Sequence, residues 1–307
     1  MSRPTHNPVL CNTSVSLLQP APGKVIVDGT FGRGGHTRRL LDAGAEVLGL
    51  DLDHDAVAVC EEMSRARPGL SCHAMSFRKL DEALTAAGRS TVDGILLDLG
   101  LSSPQIDRPE KGFTYRESGP LDLRFDQRSG ETAAEMLARL EHEELADLLW
   151  KYGEERRSRR IARAIVKAGQ DEPVVTTGQL YDVVARVSGR GPRLNATLSR
   201  VFQALRIAVN DELGALEEAL ALVPDCLSPG GRCVVIAYHS LEDRIVKQWL
   251  AKANRGCICP PEIPVCSCNH ERTMKKLTRR AIRPDEAETA ENPRARSARL
   301  RAGEKVQ

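Results

Sequence analysis

Aromatic side chains are scarce: five Phe, two Trp and four Tyr make eleven rings in 307 residues. So few argue against a broad stacking platform for unpaired bases. Long apolar runs are also missing, and none approaches the ~18 residues of a membrane span. The first ten residues carry Pro4, His6 and Pro8 where a secretory signal needs an apolar stretch. Neither sign of charge is in excess, since 44 Lys and Arg face 42 Asp and Glu for a formal net of +2. The expectation is a soluble, cytoplasmic protein with no membrane partner. What is present is ordinary for such a chain: 41% hydrophobic and 28% charged residues, enough for a real core. The length suggests about two domains.

Nine cysteines is an odd count. Cys11, Cys60, Cys72, Cys226 and Cys233 are scattered among apolar or helical neighbours and are expected to be reduced, buried small hydrophobes. Cys257, Cys259, Cys266 and Cys268 instead form two C-x-C pairs, separated by six residues that include Pro260, Pro261 and Pro264. Four thiolates on one short loop suit a tetrahedral Zn²⁺, but zinc pairs are usually spaced C-x₂-C or wider. Reduced thiols or a redox-sensitive pair stay open beside zinc, and no metal is assigned.

The small net charge hides two basic concentrations. Lys151 to Gln170 holds seven basic and two acidic residues, and Asn269 to the end holds eleven and six, each a net of +5. Either is a polyanion-binding face or a solvated surface.

The first hundred residues alternate short strands with helices, which implies right-handed crossovers and a largely parallel sheet. Val25–Asp28, Val47–Asp51, Leu70–Met75 and Gly94–Asp98 read as the strands, with helices at His36–Ala43 and Ala56–Arg65 between them. From Ile106 to Val209 strand signals vanish. Thr132–Glu135 is a capping box, Thr176–Gln179 opens a helix striped by Leu180, Val183, Val184 and Val187, and Asn195–Leu213 is amphipathic. The α/β pattern then returns, with a Pro229-Gly230-Gly231 turn before a strand at Arg232–Tyr238. The expected domains are 1–105, a helical insertion at 106–209, and 210–307. The last forty residues are polar and read as partly extended or loosely held.

Asp28-Gly-Thr-Phe-Gly-Arg-Gly-Gly-His36 joins the first strand to the first helix. Glycines there permit positive φ and close approach of a ligand to the backbone. Asp51 ends the next strand, 23 residues after Asp28, where an acid can accept hydrogen bonds from ribose hydroxyls. The glycine spacing is not that of the dinucleotide fingerprint, yet a nicotinamide cofactor and S-adenosylmethionine both remain compatible. Phe77 is a candidate cover for adenine or an ordinary core ring. Asp98 leads into a polar loop, and no helix is expected to begin before Pro104.

These motifs resemble the bacterial 16S rRNA (cytosine-N4)-methyltransferase family RsmH, also called MraW. The resemblance extends through His6–Leu10, Asp28–His36, Asp93–Gln105, Gly119–Arg124, Tyr152–Glu155, Phe202–Ile207, His239–Val246 and Asn292–Ser297. It implies an α/β, class I Rossmann-like methyltransferase sheet with an inserted all-helical domain for RNA recognition. It also implies methyl transfer from S-adenosyl-L-methionine to the exocyclic N4 of a cytidine in the decoding region, with 16S rRNA or the small ribosomal subunit as partner. Carried over by position, cofactor contacts fall on Gly34, Gly35, His36, Asp51, Phe77, Asp98 and Gln105. Leu101 and Tyr238 stand where Val and Phe are expected in relatives, and Leu194–Arg200 is more divergent.

Methyl transfer to this amine needs acceptors that draw its hydrogens out of conjugation with the ring, and a route for the proton released after attack. Ser102-Ser103 and Tyr238-His239-Ser240 are the candidates. His239 either orients the base or takes the proton, or is a structural residue bonded to Glu242 or Asp243. Asp122 and Arg124 line a base pocket or form an internal ion pair. A nicotinamide-type oxidoreductase and a non-catalytic RNA-binding assembly factor are the alternatives. Monomer and homodimer both remain open.

Overall fold

The computed structural model describes residues 8–189, 191–260 and 265–306, less the side chains of 103 and 104. His6 and Asn7 of the N-terminal motif, and Pro261 and Pro264 of the cysteine segment, lie outside the described residues. The chain divides into two compact units, Met1–Gly100 with Leu213–Gln307, and Leu101–Glu212.

In chain order the first unit begins α1 (Cys11–Leu18), β1 (Val25–Asp28), α2 (Gly35–Asp42), β2 (Glu46–Leu50), α3 (His54–Ala66), β3 (Leu70–His73), α4 (Leu80–Ala86) and β4 (Val92–Asp98). The second unit carries α5 (Ser103–Asp107), α6 (Ala133–Arg139), α7 (His142–Gly153), α8 (Ser158–Asp171), α9 (Thr177–Ser188) and α10 (Pro192–Asn210). Then come α11 (Glu212–Cys226), β5 (Leu227–Ala237), α12 (Ser240–Ala253), β6 (Met274–Lys276), α13 (Glu286–Glu291) and β7 (Arg299–Lys305).

The seven strands form one sheet in the order β3-β2-β1-β4-β5-β7-β6. Strands β1 to β5 run parallel to one another, and β7 runs antiparallel to both β5 and β6. Central strands are apolar at successive positions because helices cover both faces. Val27, Leu97 and Val235 pack with Leu84 of α4, Leu220 of α11 and Leu250 of α12. Their chain neighbours Ile26, Leu96, Val234 and Ile236 point the other way, packing with Leu18 of α1 and Leu40 of α2. The Pro229-Gly230-Gly231 turn is absorbed into β5 as a register slip: Val92 faces Leu227, but Gly94 faces Arg232.

The second unit has its own core. Leu145 and Leu149 of α7, Ile161 and Ile165 of α8, Leu180 and Val184 of α9, and Leu198 and Leu205 of α10 are all buried there. Their i, i+4 and i, i+7 spacings are those of single apolar stripes. Gly153 lets α7 meet α10, since a Cβ on it would lie 2.7 Å from the Arg200 carbonyl oxygen.

Three expectations are corrected. Of the two readings of the last forty residues, partly extended holds and loosely held does not: β7 lies inside the sheet with Leu300 and Ala302 buried. Its charges had hidden it. Arg301 donates to Asp243 (2.7 Å) and Glu304 accepts from Arg232 (3.0 Å), so these polar residues are paired on a strand. Cys60 and Cys72 are not reduced but joined in a disulfide, because α3 packs on β3 and brings their Cα atoms to 5.9 Å. A helix does begin before Pro104. It starts at Ser103, and a proline in the first turn loses no helical hydrogen bond. Cys226 and Cys233 are buried free thiols as expected, pushed up to about 11 and about 12 by burial, and half-buried Cys11 is likewise free.

Candidate active site

The strand order reverses between β1 and β4, and in open parallel sheets the crevice at the carboxyl ends of such strands is where ligands bind. Asp28 closes β1 and is 1% exposed. Its Oδ2 accepts from Thr37 Oγ1 (2.6 Å). The glycine turn that follows laces three strands together: Gly29 N–H donates to the Leu96 carbonyl (2.9 Å), Phe31 N–H to Leu50 (3.0 Å), and Thr30 Oγ1 accepts the Asp98 N–H (2.7 Å).

Asp51 stands just past β2. One carboxylate oxygen accepts the Gly32 N–H (2.8 Å) and the other the Asp53 N–H (2.9 Å). Burial outweighs these two donors and pushes the carboxyl up to about 6. Gly34 and Gly35 are required by packing. Gly34 has φ +67°, and a Cβ there would lie 2.6 Å from Met63 Cε and 2.7 Å from Phe31 Cζ. At Gly35 it would lie 2.8 Å from Pro8 Cγ.

His36, in the first turn of α2, is 5% exposed. Its Nε2 lies 3.2 Å from the Val9 carbonyl and its Nδ1 3.8 Å from Asp98 Oδ2. A carbonyl can only accept, so the hydrogen sits on Nε2 and Nδ1 faces the acid. Asp98, at the end of β4, accepts the Tyr238 hydroxyl on Oδ1 (2.8 Å). Burial raises the Asp98 carboxyl, and burial together with Asp98 raises the Tyr238 phenol. Phe77 opens a 3₁₀ turn after β3 and is half-buried against the core of that face. Its Cβ is 3.1 Å from where a side chain on Gly29 would begin.

The fold thus gathers Gly34, Gly35, His36, Asp51, Phe77 and Asp98 at the carboxyl ends of the strands and the helix starts that follow them. Gln105 belongs to the second unit, where its Oε1 caps α5 by accepting the Ser102 N–H (2.9 Å). His239 opens α12 beside the end of β5. Its Nε2 lies 3.0 Å from Glu242 Oε1, outside hydrogen-bond alignment, and its Nδ1 faces the Glu242 N–H (3.4 Å). Glu242 Oε2 also accepts the Tyr238 N–H (2.7 Å). Asp243 is not the partner of His239; it is held by Arg301 and Arg299.

In the second unit, Arg124 grips Asp122 through both nitrogens of one edge (2.8 and 3.0 Å), so the internal ion pair is formed. Arg156, Arg159, Arg160, Arg163 and Lys167 are exposed on and just before α8, opposite buried Ile161, Ala162 and Ile165. Sequence reasoning missed Thr30 and Thr37, which position the two aspartates. The only local signal was their place in and just after a turn bounded by an acid.

A sheet ordered 3-2-1-4-5-7-6 with a reversed β7, carrying this glycine turn, is that of the Rossmann-like S-adenosylmethionine-dependent methyltransferases, and this chain is one of that class. The family model described as the MraW methylase family matches residues 3–306. Ribosomal RNA small subunit methyltransferase H of Thermomicrobium roseum is 48% identical, covering 98% of this chain and 94% of that protein. The protein of the same name from an Anaeromyxobacter species is 45% identical over 98% of each. Among solved structures, an rRNA methylase from Streptococcus thermophilus aligns over 97% of this chain and 94% of that one, with 11% identity and a TM-score of 0.40. The chain belongs to the MraW methylase family.

Proposed function

We propose that this methyltransferase modifies the exocyclic N4 of a cytidine in the decoding region of 16S rRNA, acting on the small ribosomal subunit. The observation that carries this reading is the acidic rim at the carboxyl ends of β1, β2 and β4, in a chain whose full-length relatives are named as small-subunit rRNA methyltransferases. That rim fits S-adenosylmethionine. Asp51 presents a carboxylate for ribose hydroxyls, Phe77 a half-buried ring for adenine, and Asp98 with His36 a polar wall. Gly34 and Gly35 bring the backbone close. Gln105 enters only through the resemblance. The cofactor supplies an activated methyl group on a sulfonium.

In-line displacement asks the protein mainly for position and electrostatics. The cytosine amine is a poor nucleophile because its lone pair is conjugated with the ring. Acceptors at Tyr238-His239-Ser240 draw its hydrogens out of that plane. His239 is a positioning residue here, since both its ring nitrogens are directed at Glu242. The exposed basic side of α8 contacts phosphates, and the target base is unpaired or flipped.

Incubating purified protein with unmodified small subunits and mapping rRNA nucleosides by mass spectrometry is expected to show one new N4-methylcytidine. Methyl transfer to a different atom, or to none, overturns the reading; the latter, with tight RNA binding retained, selects a non-catalytic assembly factor. Thermal stabilisation by S-adenosylhomocysteine but not by NAD(H) is expected in parallel.

A further inference from the structure

The four clustered cysteines lie on the segment joining α12 to β6, and the methyltransferase reading leaves them without a role. Cys266 Sγ is 3.5 Å from Cys268 Sγ, which is 3.8 Å from Cys257 Sγ. All four sulfurs fall within 4.8 Å of one another. Tetrahedral Zn–S bonds of ~2.3 Å set neighbouring sulfurs about 3.8 Å apart, whereas a disulfide needs ~2.0 Å.

Backbone donors point at the same sulfurs. Ile258 N–H reaches Cys268 Sγ (3.4 Å), Cys259 N–H reaches Cys257 Sγ (3.4 Å), and Ser267 N–H reaches Cys259 Sγ (3.5 Å). Backbone amides aimed at sulfur are the outer-shell hydrogen bonds of a thiolate metal site.

Among its described residues, apolar burial does not hold this segment. Val265 is 75% exposed and Ile258 40%. Its base is tied to α12, by Thr273 N–H to the Ala253 carbonyl (3.0 Å) and by His270 Nε2 beside the Lys252 carbonyl (3.0 Å). The portion nearer the cysteines converges only on sulfur among the described residues. Segments without a core need another clamp.

We propose that Cys257, Cys259, Cys266 and Cys268 bind one zinc ion as a closed, tetrahedral structural site. On binding, four thiols release their protons to solvent and four Zn–S bonds form, with no change of oxidation state. All four positions are filled by protein, so the ion takes no part in methyl transfer.

The test uses the full chain, purified under reducing conditions without chelator. Elemental analysis is expected to find about one zinc per chain, and replacement by Co²⁺ to give the visible absorption of a tetrahedral thiolate complex. Cys257→Ser combined with Cys266→Ser is expected to weaken metal retention by more than about 100-fold while leaving thermal stabilisation by S-adenosylhomocysteine in place. Less than about a tenth of an equivalent of zinc after reconstitution, with the four thiols titrating alike with and without the metal, overturns the proposal. So does an iron chromophore or recovery of the cysteines as disulfides. Metal content and the cobalt spectrum of the unaltered protein decide the matter even if the variant fails to fold.

Discussion

At the scale of single residues, Asp51 ties structure to solution behaviour. Its carboxyl titrates near 6 in the folded chain, against an ordinary 3.8, so the native state holds an extra proton between those values. Its contribution to stability therefore falls as pH rises through that window. Ribose hydroxyls need the ionised form, so S-adenosylhomocysteine affinity is expected to be flat above pH 7 and to fall toward tenfold per pH unit below about 6. Calorimetric titration across pH checks this, and Asp51→Asn should bind weakly with that slope reduced. Gly34→Ala should cost about 1–2 kcal/mol from its left-handed backbone alone, with more from the Met63 and Phe31 clashes; urea unfolding measures it. Asp51 was legible in the sequence as an acid ending a strand. The Tyr238 hydroxyl on Asp98 was not, because 140 residues separate the partners and no local pattern encodes a contact between two strand ends.

At the scale of elements, α8 is a helix whose two sides face different environments. Its buried Ile161 and Ile165 fix which arginines are exposed. Replacing Arg159 and Arg163 with Ala should leave folding intact and weaken rRNA binding. The slope of log affinity against log salt should drop by about 0.7–0.9 for each phosphate no longer neutralised, and filter binding at several salt concentrations reads this out. The start of α12 makes the opposite point. His239 reads from the sequence either as a base-orienting or proton-taking group or as a structural residue bonded to Glu242, and in the fold it caps the helix over Glu242. His239→Ala should cost about 1 kcal/mol and slow single-turnover methylation less than tenfold. Its pH–rate profile should keep its shape; a missing limb would assign the proton to His239. Helices α6, α9 and α10 of the second unit were legible because stripe and caps are local signals, while α7 and α8 were not singled out. Strand β7 was not, since its alternation is short and its charges find partners only in the folded sheet.

At the scale of the whole molecule, the Cys60–Cys72 disulfide closes the connection between α3 and β3, at a separation of 12 residues. By loop entropy alone, reducing it should cost about 3 kcal/mol, seen as a lower urea midpoint with reductant than without. Composition and hydrophobic period were enough to determine a parallel α/β sheet interrupted by helices, and a glycine turn with an acid beyond it. Those properties depend on neighbours within a few residues, which the chain states directly. Tertiary structure alone decided that the polar tail enters the sheet, that two scattered cysteines bond, and that His36, Asp98 and Tyr238 meet at the carboxyl ends of the strands. Each of these joins residues brought together by strand order, and strand order is set by how the faces of many elements are buried at once.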